Sequence, residues 1–374
     1  MTTKDRIRGC MIGGAVGDAL GWPIEFKTER QIFNKYWPDG IHEYDLNAAG
    51  EAEITDDTQM SLYTANGILC WETAQCVQNE TRLPRHFVAM AYQDWLYTQE
   101  AADGHETSLR PCDLCWLNAE KGLWHRRGPG VTCLQALRLQ NGAAGRIRDY
   151  INAEQNNSKG CGGIMRVAPM GLRKWDDIKA LDYEGAQLAA ITHGHPLGYM
   201  PAAVLVHIIN RIVYLEAEGM PLRDIIVEAR DVLSDIFPDD PFLPKLRGII
   251  DRAVELAERS EDSDLDNIHK LGEGWVGEET LGIALYCALK YQDDFSAGII
   301  AAVNHMGDSD STGAVTGNIL GALLGYEGIE EKWKKCLELK TVILEIADDL
   351  ARGVPFSEAE KCEDPEWLLK YGRI

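Results

Sequence analysis

The densest chemistry in this 374-residue chain is Thr55-Asp56-Asp57-Thr58, followed at once by an apolar helical pattern beginning Gln59-Met60-Ser61-Leu62-Tyr63. A second acidic cluster, Gly307-Asp308-Ser309-Asp310-Ser311-Thr312, likewise runs straight into an apolar stretch from Gly313 to Tyr326. Helix capping explains either cluster alone, because Asp, Ser and Thr accept the free N–H groups of a first turn and acids favour the positive end of the helix dipole. Together the clusters exceed what capping needs, since an adjacent acid pair and an Asp-x-Asp pair are each flanked by hydroxyls. Carboxylate and hydroxyl oxygens without thiol or imidazole suit a hard cation: Mg2+, Mn2+ or Ca2+. If the clusters meet, Asp56, Asp57, Asp308 and Asp310 put a charge of −4 in one place. Two divalent ions would cancel it, as in binuclear hydrolytic centres.

Rival readings of the same residues fail at particular positions. Asp308-x-Asp310-x-Thr312-Gly313 imitates the start of an EF-hand loop, but its twelfth position is Ile319 where a bidentate Glu belongs. Asp56-Asp57 also parallels the aspartate-rich motif of isoprenoid synthases, with Met60 where the next acid should stand. The fingerprints of common NTPases, dinucleotide enzymes, zinc proteases and serine hydrolases are missing. A third element, Asn157-Ser158-Lys159-Gly160-Cys161-Gly162-Gly163, is either a tight connection between helices or a phosphate cradle of backbone amides, with Lys159 and Ser158 as further donors. The pair in Thr192-His193-Gly194-His195-Pro196 reads as catalytic or as hydrogen-bonded imidazoles at a helix end. Cys112 and Cys115 have zinc half-site spacing, but His125 and Cys133 do not complete a known module, and a surface insertion with two ordinary thiols is the plainer reading.

The elements that must hold these residues are helical. Apolar residues recur at helical spacing over approximately 84–98, 131–140, 176–192, 221–237, 278–291, 294–305, 312–325 and 340–352, and period-two stretches are nearly absent, so the fold class is all-α. Periodicity is weakest around 27–54 and 99–130, where Trp37-Pro38-Asp39-Gly40 and Arg127-Gly128-Pro129-Gly130 carry loop chemistry. Gly9, Gly13, Gly17 and Gly21 fall every fourth residue, as do Gly313, Gly317, Gly321 and Gly325. A glycine inside a helix costs about 1 kcal/mol relative to alanine, so each ridge requires a compensating close backbone approach. The two ridges are expected to be central, one packed on the other.

Composition bounds the partners. The chain is 45% hydrophobic and 26% charged, an ordinary globular balance. With 37 Lys+Arg against 59 Asp+Glu the net charge is −22, which repels phosphate backbones and anionic lipid, so neither nucleic acid nor a membrane is an expected partner. The charge-free run Gly185 to Asn210 is long enough to span a bilayer but is broken at His193-Gly194-His195-Pro196, Gly198 and Pro201, as core helices would be. The N-terminal residues lack a secretory pattern, so a cytoplasmic location and ten reduced cysteines are expected.

In this order the motifs resemble the ADP-ribosylglycohydrolase family, the group that includes dinitrogenase reductase-activating glycohydrolase. The resemblance runs through Arg8 to Gly21 with Asp18, then Glu25, Thr55-Asp56-Asp57-Thr58, Gly160 to Arg166 with Val167-Ala168-Pro169, Thr192-His193 and Gly307 to Ser311, over residues 6 to 350. It implies a single compact orthogonal helical domain, residues 1–353, with a tail at 354–374 packed on it or extending from it. It further implies a central binuclear Mg2+ or Mn2+ site held by Thr55, Asp56, Asp57, Asp308, Asp310 and Ser311, with Asp18 in support. Glu25, Asp57 and Asp310 would be catalytic, Asp57 accepting the proton of the attacking water. Ser158, Lys159, Gly160, Cys161, Gly162, Gly163 and His193 would take the substrate. With Glu25 counted, five carboxylates and two divalent ions leave −1, a charge that tolerates an anionic ligand.

The implied reaction is hydrolytic removal of ADP-ribose from an arginine or serine side chain, or from a small molecule, with two metal ions activating water at the anomeric carbon. Lys159 departs from members with an aromatic residue there, and 99–133 offers no acid matching the catalytic aspartate of the nitrogenase-regulating member, so the linkage stays open. Two alternatives accompany this reading: a non-catalytic ADP-ribose-binding or structural member, and a Mg-dependent hydrolase or isoprenoid-type enzyme acting elsewhere.

Overall fold

The computed structural model describes residues 1–78, 80–153, 155–215, 219–356 and 362–373. Among these the chain forms α-helices joined by loops and short 3-10 turns, with two isolated β-bridges, Ala52 to Leu337 and Gly160 to Val276, and no strand. Helices occupy the periodic segments: Pro84–Glu100, Val131–Gln140, Ile178–Ala190, Leu222–Ile236, Gly277–Lys290, Phe295–Val303, Ser309–Leu324 and Lys340–Arg352. The weakly periodic segments hold only the short helix Glu29–Lys35 and 3-10 turns at Ala102–Gly104, Trp116–Ala119 and Lys121–Leu123.

The two glycine ridges meet. Helix Thr3–Gly21 lies against helix Ser309–Leu324 so closely that a methyl built on Gly9, Gly13 or Gly17 would overlap the carbonyl oxygen of Gly321, Gly317 or Gly313 respectively. The pairing order is antiparallel, and it continues to Gly21, where a methyl would sit 2.5 Å from the Asp310 Cα. Asn318 closes the contact by donating its Nδ2 to the Cys10 carbonyl at 2.9 Å. Removing side chains from both faces replaces side-chain packing with direct backbone contact, which offsets the propensity cost of the glycines.

Around this pair the other helices bury their apolar faces. Pro196–Tyr214 is long and apolar enough to cross a membrane, but nearly all of it is buried among neighbouring helices, as befits a helix apolar on all sides. Leu222–Ile236 instead buries one stripe, Ile225, Ile226, Ala229 and Leu233, and shows its charges to solvent. The 99–130 segment is tied down by Asp94, a fully buried carboxylate that accepts the N–H groups of Cys112, Asp113, Leu114 and Cys115 at 2.6–2.9 Å. The Cys112/Cys115 spacing is thus used through the backbone, and both thiols are free. After residue 361 the chain returns as helix Pro365–Tyr371, where the buried Trp367 indole donates to Thr73 Oγ1 at 2.9 Å and the Tyr371 hydroxyl to Asp349 at 2.7 Å.

Candidate active site

Antiparallel contact of the ridges puts the end of the first helix beside the start of helix Ser309–Leu324. The 3-10 turn Trp22–Ile24 then delivers Glu25 to the second acidic cluster, where one oxygen each from Glu25, Asp308 and Asp310 lie within 4.8 Å of one another. Asp308 is also the N-cap, accepting the Ser311 N–H at 3.3 Å, so the capping and ligand readings hold for the same side chain.

The other acid pair arrives on the first turn of helix Asp56–Gln78 and is set by a residue of the first helix. Asp18, wholly buried, accepts from the Thr55 N–H at 3.0 Å, the Thr55 hydroxyl at 2.8 Å, the Thr58 N–H at 3.2 Å and the Thr58 hydroxyl. A carboxylate from one helix therefore clamps the start of another. Asp56 Oδ2 accepts the Gly130 N–H at 3.2 Å, and the Asp56 N–H donates to the Arg127 carbonyl at 3.0 Å, which latches the 127–130 loop over the site. Asp57 is buried and its Oδ2 has no hydrogen-bond partner.

These acids form one wall of a cavity of about 220 Å³ that Glu25, Asp56, Asp57, Asp308, Asp310 and Ser311 all line. Burial, reinforced by the charges of Asp308 and Asp56, pushes the Glu25 carboxyl up to about 9 against a lowering bond from Asp310. Burial likewise raises Asp56 to about 8 despite the Gly130 amide, and holds Asp57 and Asp310 well above the ordinary carboxylate range, with neighbouring acids adding to the shift. Carboxylates so crowded and dry keep protons unless cations replace them. The carboxylate and hydroxyl oxygens of this wall, a buried unpartnered oxygen and mutual repulsion together fit hard divalent ions.

The glycine loop lines the same cavity. Gly160, Cys161, Gly162 and His193 line it, and a methyl on Gly162 would fall 2.9 Å from both Cys133 Sγ and His193 Cε1, so a side chain there would crowd its neighbours. The loop is pinned from behind: the Cys161 N–H donates to the Trp275 carbonyl at 3.2 Å and the Gly277 N–H to the Lys159 carbonyl at 2.9 Å. His193 is neutral, because burial and the nearby Arg166 cation push it down to about 3. Arg166 donates to Thr192 Oγ1 at 2.6 Å, and the same hydroxyl is hydrogen-bonded to His193 Nδ1 at 2.8 Å. The Nδ1 side of the ring is thus taken up by Thr192, while His193 lines the cavity.

Four residues implied as site members stand behind it. The Thr55 hydroxyl is taken up by Asp18 and accepts the Asp57 N–H at 3.2 Å. The Ser158 hydroxyl accepts from the Gly160 N–H at 3.3 Å and lies 3.4 Å from Thr132 Oγ1. Lys159 turns away to pair with Glu278 at 2.6 Å, and Gly163 packs under helix Pro196–Tyr214, where a methyl would sit 2.6 Å from the Gly198 carbonyl. Conversely, Phe26 and Trp275 stack at 5.2 Å between centroids at the cavity edge, with Phe26 in the left-handed region at φ 61. Thr132 and Cys133 also line the cavity. No motif marks these residues; only Arg127-Gly128-Pro129-Gly130, legible as a loop, hinted at the segment that reaches Asp56.

An all-α chain with a carboxylate-walled cavity facing a glycine loop defines the class. The family model for ADP-ribosylglycohydrolase matches residues 1–359, and the chain belongs to that family. It is 24% identical over 347 residues to the ADP-ribosyl-[dinitrogen reductase] glycohydrolase of Rhodospirillum rubrum, covering 91% of this chain and 92% of that one. Against ADP-ribosylhydrolase ARH3 of Bos taurus the identity is 23% over 359 residues, covering 89% and 88%. A solved chain named ADP-ribosylglycohydrolase-related protein complex shares the fold, with a TM-score of 0.62 at 22% identity and coverage of 94% of this chain and 98% of that one.

Proposed function

We propose that the protein is a divalent-cation-dependent ADP-ribosylhydrolase, cleaving the bond between the anomeric carbon of a terminal ADP-ribose and the nitrogen or oxygen of its acceptor. The acceptor is an arginine or serine side chain of a modified protein, or a small molecule, and the setting is the cytoplasm. The observation that carries the proposal is the convergence of Glu25, Asp56, Asp57, Asp308 and Asp310 on one cavity that the glycine loop also lines. Family membership and the names of the relatives support the same reading.

Asp56, Asp57, Asp308, Asp310 and Ser311 would hold two Mg2+ or Mn2+ ions, with Thr55 supporting them from behind through Asp18. When bound, such ions stabilise negative charge developing on oxygen and acidify water. Asp57, whose Oδ2 has no other partner, takes the proton from the attacking water and returns it to the departing acceptor. The water oxygen bonds to the anomeric carbon as the bond from that carbon to the acceptor breaks. Glu25 and Asp310 position the ribose hydroxyls, and Gly160, Gly162 and His193 face the pyrophosphate.

The test is release of free ADP-ribose from arginine-, serine- and small-molecule-linked substrates with Mg2+ or Mn2+, comparing wild type with Asp57→Ala and Asp310→Ala. Metal-dependent release lost in both variants is the expected result. Robust turnover in excess EDTA would contradict the mechanism, and no release on any acceptor from folded, metal-loaded protein would favour a binding role.

A further inference from the structure

The side chain of Cys161 does not lie with the glycine loop that carries it. Its Sγ is 2.6 Å from Asp308 Oδ2, so the sulfur faces the acidic wall. Asp308 in turn belongs to the group whose oxygens approach those of Glu25 and Asp310. Cys161 lines the cavity together with Asp57, a carboxylate only 3% exposed whose Oδ2 has no partner. Ser311, a further oxygen donor, lines the same cavity as Asp57 and Cys161. The backbone fixes it there: the Cys161 N–H is held by the Trp275 carbonyl, and the Cys161 carbonyl accepts the Ile164 and Met165 N–H groups at 2.9 and 3.2 Å.

We propose that Cys161 is a sulfur ligand of the cation centre, so that this site also takes thiophilic divalent ions, Co2+, Zn2+ or Cd2+, in competition with Mg2+ or Mn2+. The proposal rests on the reading of the acidic wall as a metal centre and adds a ligand of different softness to it. Thiolate selects borderline and soft ions, whereas carboxylate alone selects hard ones. On binding, the S–H bond breaks, a sulfur–metal bond forms and the proton leaves to solvent, with no change in oxidation state. Cys133, the second thiol in the cavity, is excluded as the ligand because its sulfur lies 3.3 Å from Arg166 Nη1, whose positive charge repels a cation.

The experiment titrates the ion-free full-length protein with Co2+ and follows the thiolate-to-cobalt charge-transfer absorption, with Mn2+ binding measured in parallel by electron paramagnetic resonance. Wild type and Cys133→Ser are expected to show the band and to lose it on addition of excess Mn2+. Cys161→Ser is expected to bind Mn2+ but show no band, and to bind Cd2+ at least about tenfold more weakly, the lower end of what losing even a ligand's outer partner costs. A Cys161→Ser protein that keeps the band, or a wild type that binds Mn2+ without showing it under Co2+, would overturn the proposal and leave the hard-cation centre standing. Failure of folded wild type to bind either ion would overturn the metal centre itself, and the thiol ligand with it.

Discussion

Gly317→Ala should damage the protein by parting two helices, without touching a single site residue. A methyl on Gly317 would lie 2.6 Å from the Gly13 carbonyl carbon and closer still to its oxygen, where ordinary contact begins near 3.4 Å. The helices must therefore separate by about 1 Å, and the neighbouring contacts at Gly9 and Gly17 lose their close approach with it. Both partners are backbone, so no flexible side chain can absorb the overlap. Overpacking costs about 1–3 kcal/mol and belongs here at the upper end, while exchanging a helical glycine for alanine returns about 1 kcal/mol, leaving a net loss of about 2 kcal/mol. Gly248, on the exposed face of helix Leu243–Arg259, is the control, because a methyl there meets nothing within 4 Å. Gly248→Ala should gain up to about 1 kcal/mol. Urea unfolding followed by helical circular dichroism should move the two midpoints in opposite directions, and Gly317→Ala should also weaken Mn2+ binding as Glu25 moves from Asp308 and Asp310. Equal, stabilising shifts in both variants would refute the direct backbone contact.

The crowded acids make stability depend on pH. In ion-free protein Glu25 is raised to about 9 from an ordinary 4.5 and Asp56 to about 8 from 3.8, so the folded state holds protons that the unfolded chain has released. Their contribution is complete below about pH 4 and is lost as pH rises through about 8 to 9, so urea midpoints in EDTA should fall across that window. Saturating Mn2+ should flatten the slope and add about 2.7 kcal/mol at a hundredfold excess over its Kd; parallel profiles with and without Mn2+ would count against the metal centre. Asp94→Asn turns an amide donor toward four N–H groups and should cost about 3 kcal/mol, the upper range for a bond to a charged group, with faster proteolysis in 99–130; unchanged proteolysis there would refute its anchoring role. Lys159→Ala should lower thermal stability, because the buried Glu278 is left with Lys245 alone, while the substrate KM stays the same; a raised KM would return the ammonium to the phosphate site.

Local chemistry was legible wherever a residue acts within its own helix. The glycine ridges foretold their contact because four bare positions on one face have few other uses, and the caps at Thr55 and Asp308 gave the helix starts that hold the acids. Glu25 was reached only through family resemblance, since a lone acid after Trp22-Pro23-Ile24 carries no signal that it will meet Asp310. The place of Phe26, Trp275, Thr132 and Cys133 at the cavity was invisible for the same reason: they come together only when two distant loops and the start of helix Val131–Gln140 converge. Lys159 shows the opposite failure. Its position beside Gly160 invited a phosphate role, but a strand-like bridge from Gly160 to Val276 rolls the side chain toward Glu278.

The partnership of the first helix with Ser309–Leu324 also sets an order of events at the ribosome. About 300 residues separate Gly9–Gly21 from their partners, which at about 5–20 residues per second is roughly 15–60 s of synthesis. Through that interval the first helix carries five glycines, four of them on the ridge, whose propensity cost nothing yet offsets. It can lock only when the last fifth of the chain emerges, and Glu25, Asp308 and Asp310 come together in that same step. The site is thus completed late, and a nascent chain released before residue 308 would contain most of the helices but lack Asp308, Asp310 and Ser311, one whole acidic cluster of the cavity.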